Sequence, residues 1–363
     1  MGKQLKRSNQ GFDSPLPGIL GTNPLITGLT GLFRIVVSVR NLAFDTIHSL
    51  SYQAGRPVIS IGGIRAGGTG KTPLAQLLGQ FLCRKGYEVA FLSRGYGRMS
   101  KKPILVAPDG QADWENVGDE PALLHSNVRS WLGVGANRVE SARKLASRIP
   151  PNTVFILDDG FQHRKIKRDL DIVCLNEHTF REKMIPAGFL REPLNSLKRA
   201  KLFILTGSEE EVSKLRDIKG ALENRFSGSH CSILLQKPEC WIQAQSGKVC
   251  DKPPFQTPWI ICAIARPQRF IRLVESEGMK PAGIKCFNDH HIFQSDDLTT
   301  MQDIYSKGVV TTEKDYMRLR SLDVAQTPAL WYLKLKLQFA DSESEMKFES
   351  AINSTLQFDA EVF

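Results

Sequence analysis

Residues 57–72 read Pro-Val-Ile-Ser-Ile-Gly-Gly-Ile-Arg-Ala-Gly-Gly-Thr-Gly-Lys-Thr, and no other stretch restricts the fold as much. The run from Val58 to Ile61 is short, apolar and β-branched, which specifies a buried strand. After Lys71 the pattern changes to Leu74, Leu77, Leu78, Phe81 and Leu82, the apolar face of a helix that Gly86 should end. Strand, glycine loop and helix in that order make a phosphate cradle. Gly67, Gly68 and Gly70 let backbone amides around Thr69 point at an anion. Lys71 would reach the β- and γ-phosphates of ATP, and the Thr72 hydroxyl would ligate Mg2+. Arg65 stands where the strict form of this motif has glycine.

Short apolar runs then alternate with helical segments, as in a mainly parallel sheet sandwiched by helices. Strands are expected at 58–61, 88–93, 104–106, 154–157, 171–175 and 202–206, with a helix over 139–149 stopped by Pro150 and Pro151. This is a P-loop NTPase-type core over 51–207. The charged stretch 208–230 reads as a linker or hinge. A second, smaller α/β domain follows over 231–345, and a surface helix over 346–363 closes the chain.

Composition narrows the function. The seven cysteines form no C-x-x-C pair, which points to reduced thiols and away from structural zinc. A net charge of +10 favours an anionic partner. Nucleic acid is disfavoured, since no aromatic RNA-binding pair, helix-turn-helix or zinc finger is present. No cleavable signal peptide is expected at the N-terminus. Within residues 1–50, Leu25, Leu29, Leu32, Val36 and Val39 recur at helical spacing opposite Arg34 and Asn41. Such a helix suits a membrane interface or a docking site on the protein's own core.

Three groups of polar residues carry chemistry. The strand Val154–Leu157 ends in Asp158 and Asp159, where carboxylates that hold Mg2+ are placed in P-loop enzymes. Val-Gly-Asp-Glu-Pro at 117–121 puts Asp119 and Glu120 at a helix start, as a helix cap or as an acceptor for a substrate proton. Phe287-Asn-Asp-His-His supplies His290 and His291.

Together these motifs identify a family. Ser-Arg-Gly-Tyr-Gly-Arg at 93–98, Leu-Asp-Asp-Gly-Phe-Gln-His at 157–163, Pro-Ala-Gly-Phe-Leu-Arg-Glu-Pro at 186–193 and Thr-Glu-Lys-Asp at 312–315 join the P-loop in a fixed order. The set resembles the tetraacyldisaccharide 4′-kinases of lipid A biosynthesis, over roughly Arg56 to Arg318. The resemblance implies transfer of the ATP γ-phosphate to the 4′-hydroxyl of a tetraacyldisaccharide 1-phosphate, giving lipid IVA. It implies Asp119 as the base, partnered by a histidine (His290 is preferred over His291), and metal ligands Thr72, Asp158 and Asp159. Arg191 and Glu192 would sit near the reaction centre. A lipid-linked substrate implies peripheral attachment to the cytoplasmic face of a bacterial inner membrane, with the first helix as the docking element. The rival function is a P-loop ATPase that drives assembly of a partner or metal centre.

Overall fold

A computed structural model describes residues 23–299 and 303–360. The stretch before Asn23, with Pro15 and Pro17 and the expected absence of a signal peptide, lies outside the described residues, as does the end of the expected C-terminal helix.

The central strands are β1 (Val58–Gly62), β2 (Glu88–Ser93), β4 (Trp131–Val134), β5 (Thr153–Asp158), β6 (Leu170–Leu175) and β7 (Leu202–Gly207). They run parallel in the order β7-β6-β1-β5-β2-β4, with β3 (Ile104–Val106) antiparallel on the β4 edge. Strands β1, β5 and β6 are buried at every position. Helices cover both faces, which explains their unbroken apolar sequence. The glycine loop leads into the helix Lys71–Arg84. Numbering in chain order, the long first helix is α1 (Pro24–Thr46), the P-loop helix is α2 (Lys71–Arg84), and α3 (Asp119–Asn127) and α4 (Arg138–Ala146) follow.

The segment expected to be a hinge at 208–230 is instead mostly helix α5 (Val212–Arg225). The physical reason is topological. Strand β8 (His230–Gln243) pairs parallel with β7, and a parallel pair needs a crossover that returns the chain to its starting edge. Leu215 and Leu222 bury one side of α5, so the charged composition is only its solvent side.

Strand β8 also joins the two halves. Its first part pairs with β7, and its remainder pairs antiparallel with β13 (Leu330–Phe339) and the short β9 (Val249–Cys250). The register slips between Lys334 and Leu335, opposite Cys240 and Pro238. Proline has no amide to give the ladder, which accounts for a bulge there. The parallel strands β10 (Trp259–Cys262), β11 (Gly283–Cys286) and β12 (Val309–Thr312) complete one continuous sheet, flanked by α6 (Pro267–Ser276) and α7 (Glu313–Leu319). The last helix, α8 (Ser342–Ala360), does not lie loosely on the surface. Phe348, Ile352 and Leu356 bury into the core of the first half, beside Phe81.

Helix α1 starts at Asn23, whose side chain accepts from the Leu25 amide at 2.9 Å, with Pro24 in the first turn. Its polar residues dock it. Arg164 donates to the Asn41 carbonyl and to Asp45, both at 2.7 Å, and Asn41 donates to Glu192 at 2.7 Å. The apolar stripe faces outward: Leu25, Leu32, Val36 and Val39 are all more than half exposed.

Candidate active site

The carboxyl ends of the parallel strands open into a cleft of about 1050 Å³ that both halves line. On its floor, Gly67, Gly68 and Gly70 all have positive φ, a backbone shape that turns successive amides to one side. Arg65 explains the missing glycine. It pairs with Glu182 at 2.9 Å and lies over the Phe189 ring, clipping the loop to the segment that carries Arg191.

Of the two adjacent aspartates, Asp158 ends β5 and is fully buried, with Ser93 Oγ donating to it at 3.2 Å. Burial pushes its carboxyl well above the usual range, and Glu120 and Asp159 add to the rise. Asp159 turns away from it with φ +47°. Arg191 grips Asp159 with two hydrogen bonds of 2.7 Å, and Lys71 lies 3.5 Å from it. Burial opposes ionisation of Asp159, but Arg191 and Lys71 outweigh it and hold the carboxyl well below normal. One carboxylate is therefore compensated and the other is not. An under-compensated buried carboxylate beside a phosphate loop fits a divalent cation. Among the described residues no group of three or more acidic, histidine or cysteine side chains could hold a metal by itself. Mg2+ does not need one, because it takes one or two carboxylates and fills its shell with phosphate oxygens and water.

Opposite the loop, α3 starts at Gly118, with φ +97°. A Cβ there would stand 3.1 Å from the Tyr96 carbonyl, so the Val-Gly-Asp-Glu-Pro turn needs its glycine. Asp119 follows, buried, and its Oδ2 lies 3.1 Å from Nδ1 of His290. A carboxylate only accepts, so Nδ1 carries the proton. Burial alone would raise the Asp119 carboxyl. The His290 hydrogen bond, Lys314 and Arg318 more than reverse this and lower it to about 2. His291 takes no part, since its Nε2 contacts Asp297 at 2.8 Å and its ring stacks on Phe287.

Two residues of the second half hold this pair. Lys314 donates to Glu120 at 3.0 Å and lies 3.4 Å from Asp289 and 3.5 Å from His290 Nε2. Arg318, wholly buried, donates to the carbonyls of His291 and Ala263 and pairs with Asp315. Sequence reasoning gave these two no role, although Thr-Glu-Lys-Asp at 312–315 marked Lys314. Arg138, also in the cleft, follows no motif that could have flagged it.

Glu192 requires a correction. It does not line the cleft. It is fully buried and accepts from Arg199 at 2.9 Å, Asn41 at 2.7 Å and Arg40 at 3.2 Å. Its neighbour Arg191 instead lines the cleft and holds Asp159.

A family model for tetraacyldisaccharide-1-phosphate 4′-kinase matches residues 22–357. The chain belongs to the tetraacyldisaccharide 4′-kinase family. The tetraacyldisaccharide 4′-kinase of Chlorobium limicola is 33% identical over 341 residues, spanning 88% of this chain and 95% of that protein. The Koribacter versatilis enzyme of the same name is 33% identical over 330 residues, again 88% and 95%. Among solved structures, the "apo" form of LpxK from Aquifex aeolicus in complex with ATP superposes with a TM-score of 0.74 at 26% identity, covering 91% of this chain and 98% of that one. The kinase is thus an ATP-dependent phosphotransferase of lipid A biosynthesis, and the alternative of an assembly ATPase is not favoured.

Proposed function

We infer that the kinase transfers the γ-phosphoryl group of ATP to the 4′-hydroxyl of a tetraacyldisaccharide 1-phosphate, with Asp119 as the proton acceptor. One observation carries the assignment of roles: the Asp119–His290 pair shares the cleft with the P-loop and faces it. A sugar hydroxyl is a weak nucleophile near neutral pH, so a placed carboxylate helps as its proton leaves. The oxygen bonds to the γ-phosphorus, the bridge to the β-phosphate breaks, and the proton passes to Asp119. His290 orients the carboxylate through Nδ1–H. Lys71 would stand beside the charge that develops on the phosphoryl group. Thr72, Asp158 and Asp159 would hold Mg2+, which when bound offsets phosphate charge. Arg191 acts through Asp159, fixing its direction.

The outward stripe of α1 supports docking to the cytoplasmic face of the inner membrane, where a substrate with four acyl chains stays. Arg40, Asn41 and Asp45 on its polar side are spent on the protein, which leaves the apolar side for lipid. The two cleft walls belong to different halves, and we infer that they close over ATP and substrate. Solution scattering with and without a non-hydrolysable ATP analogue tests the closure, and unchanged dimensions refute it. For the reaction, γ-labelled ATP and the lipid substrate should give labelled lipid with the native chain and almost none with Asp119→Ala. Equal labelling by the two proteins would overturn the assignment of Asp119.

A further inference from the structure

All seven cysteines are free thiols, and the chemistry above uses none of them. The sheet brings two of them together. Cys262 ends β10, Cys286 ends β11, and the two are direct partners in the parallel register. Both face α6, in the cluster that holds Phe270 and Val274, with their sulfurs 3.7 Å apart. Cys262 is buried, whereas Cys286 is half-buried on β11, the edge strand of the sheet. Solvent therefore reaches one thiol and not the other.

The hydrogen bond between the thiols sets which of them reacts first. It lowers Cys286, against burial and Asp315, and it raises Cys262, where burial adds to the rise. Cys286 is thus the sulfur that ionises, and the thiolate is the nucleophilic form. Neighbouring strands run about 4.8 Å apart, inside the Cα separation of about 4.4–6.8 Å that a disulfide spans. The sulfurs need to approach by about 1.6 Å to reach bonding distance.

This pair sits under the reaction centre. Beyond Cys262 comes Ala263, whose amide donates to Asp315 at 3.2 Å and whose carbonyl accepts from Arg318 at 3.1 Å. Beyond Cys286 comes Phe287, whose amide donates to the Cys262 carbonyl at 2.9 Å. The Phe287 ring stacks on His291 at 4.3 Å. Between those two rings in the chain, His290 has φ +65°, a left-handed backbone that a non-glycine residue keeps only where its surroundings hold it. A bond between the sulfurs would draw together the strand ends that carry this loop.

We propose that Cys262 and Cys286 form a redox switch, in which hydrogen peroxide joins the two sulfurs, displaces the loop that carries His290 and slows phosphoryl transfer. The switch rests on the kinase reading, since its output is turnover. The Cys286 thiolate attacks one peroxide oxygen and the O–O bond breaks, which leaves a sulfenic acid and a hydroxide that takes up the thiol's proton as water. The Cys262 sulfur then attacks the sulfenic sulfur, the S–O bond breaks, and the oxygen leaves with the Cys262 proton as a second water. Two thiols are oxidised to one disulfide while one peroxide is reduced to two waters. Exchange with a thiol reductant reverses the bond.

The test treats full-length protein in detergent with hydrogen peroxide, as wild type, Cys262→Ala, Cys286→Ser and Cys83→Ser. Each sample is alkylated and digested for mass spectrometry, and assayed with γ-labelled ATP and the lipid. Wild type should yield a cross-linked Cys262–Cys286 peptide and lose kcat by roughly tenfold or more, since a shift of about 1 Å at a reaction centre can cost about 10²-fold. Dithiothreitol should restore the rate. Cys262→Ala and Cys286→Ser should keep their turnover through the same treatment, while Cys83→Ser, changed at an exposed cysteine, should respond as wild type does. Two thiols that stay free to alkylate overturn the switch, and so does a cross-link that leaves kcat unchanged. A loss that dithiothreitol does not reverse, or one that Cys286→Ser shares, overturns it too, because that is damage elsewhere. Reduced wild type that labels no lipid would instead defeat the kinase reading, and the peptide map would still report whether the sulfurs join.

Discussion

Changing Glu192 separates a structural tether from a catalytic group. The side chain is fully buried, and its carboxylate serves Arg199, Asn41 and Arg40. Burial opposes its ionisation, yet Arg199 and the hydrogen bonds from Asn41, Ser196 and Arg199 hold its carboxyl below the ordinary value. Glu192→Ala would leave the Arg199 guanidinium, packed over the Phe161 ring, inside the protein with no counter-charge. Breaking a buried pair from one side costs about 3–5 kcal/mol. Arg40 adds little, because it is partly exposed and water screens it. Unfolding entropy of about 2.1 cal/mol/K per residue, over a chain of 363 residues, converts this to a fall in Tm of roughly 4–7 °C. Glu192→Gln keeps the volume and one acceptor, and should lose about 1.5–3 kcal/mol. Scanning calorimetry measures the loss, limited proteolysis reports release of α1, and titration follows Mg·ATP. The expected result is a lower Tm and earlier cleavage beside α1, with ATP affinity kept. A variant as stable as wild type but without turnover would refute this reasoning and return Glu192 to the reaction centre.

Other changes probe the cleft and the first helix. Asp119→Asn should lower kcat by roughly 10²–10⁴ and leave Mg·ATP affinity near wild type, as steady-state kinetics with titration would reveal. Lys71→Ala should remove most phosphoryl transfer, by roughly 10² or more in kcat, and retention of full turnover would contradict the phosphate cradle. Val36→Glu with Val39→Glu should shift protein from sedimenting vesicles of anionic lipid to the supernatant. Since both sites are exposed, Tm should barely move. Burial, with Arg138 next in effect, lowers His163 to about 4 from its ordinary 6.5. The folded state therefore favours the neutral ring. The resulting stability is complete above about pH 6.5 and is lost as pH falls through about 4. Allowing for partial exposure, wild type should lose about 1–2 kcal/mol relative to His163→Gln over that range in urea titrations. Parallel curves for the two proteins would disprove it.

Local chemistry explains how much was legible in the chain. The strand Val58–Gly62, the glycine loop and helix α2 are set by near neighbours: β-branched residues, positive-φ glycines and a 3.6-residue apolar period. Arg65 and Glu192 show the limit. Whether Arg65 spoiled the loop depended on Glu182 and Phe189, more than a hundred positions away. Glu192 shares its motif with Arg191, yet one side chain lines the cleft and the other meets α1, a split that the motif itself does not record. The hinge expected at 208–230 misread the solvent side of α5 as a break, because composition alone does not tell a charged helix face from a linker.

Sequence by itself determined the α/β class, the phosphate loop, the family and the apolar stripe of α1. Tertiary structure alone decided that His290 and not His291 meets Asp119, that Asp159 is compensated while Asp158 is not, and that α1 docks through Arg40, Asn41 and Asp45. The physical reason is that motifs record which groups a site contains. Proton position and charge balance depend on distances of a few ångströms between segments far apart in the chain, and only the packed sheet sets those.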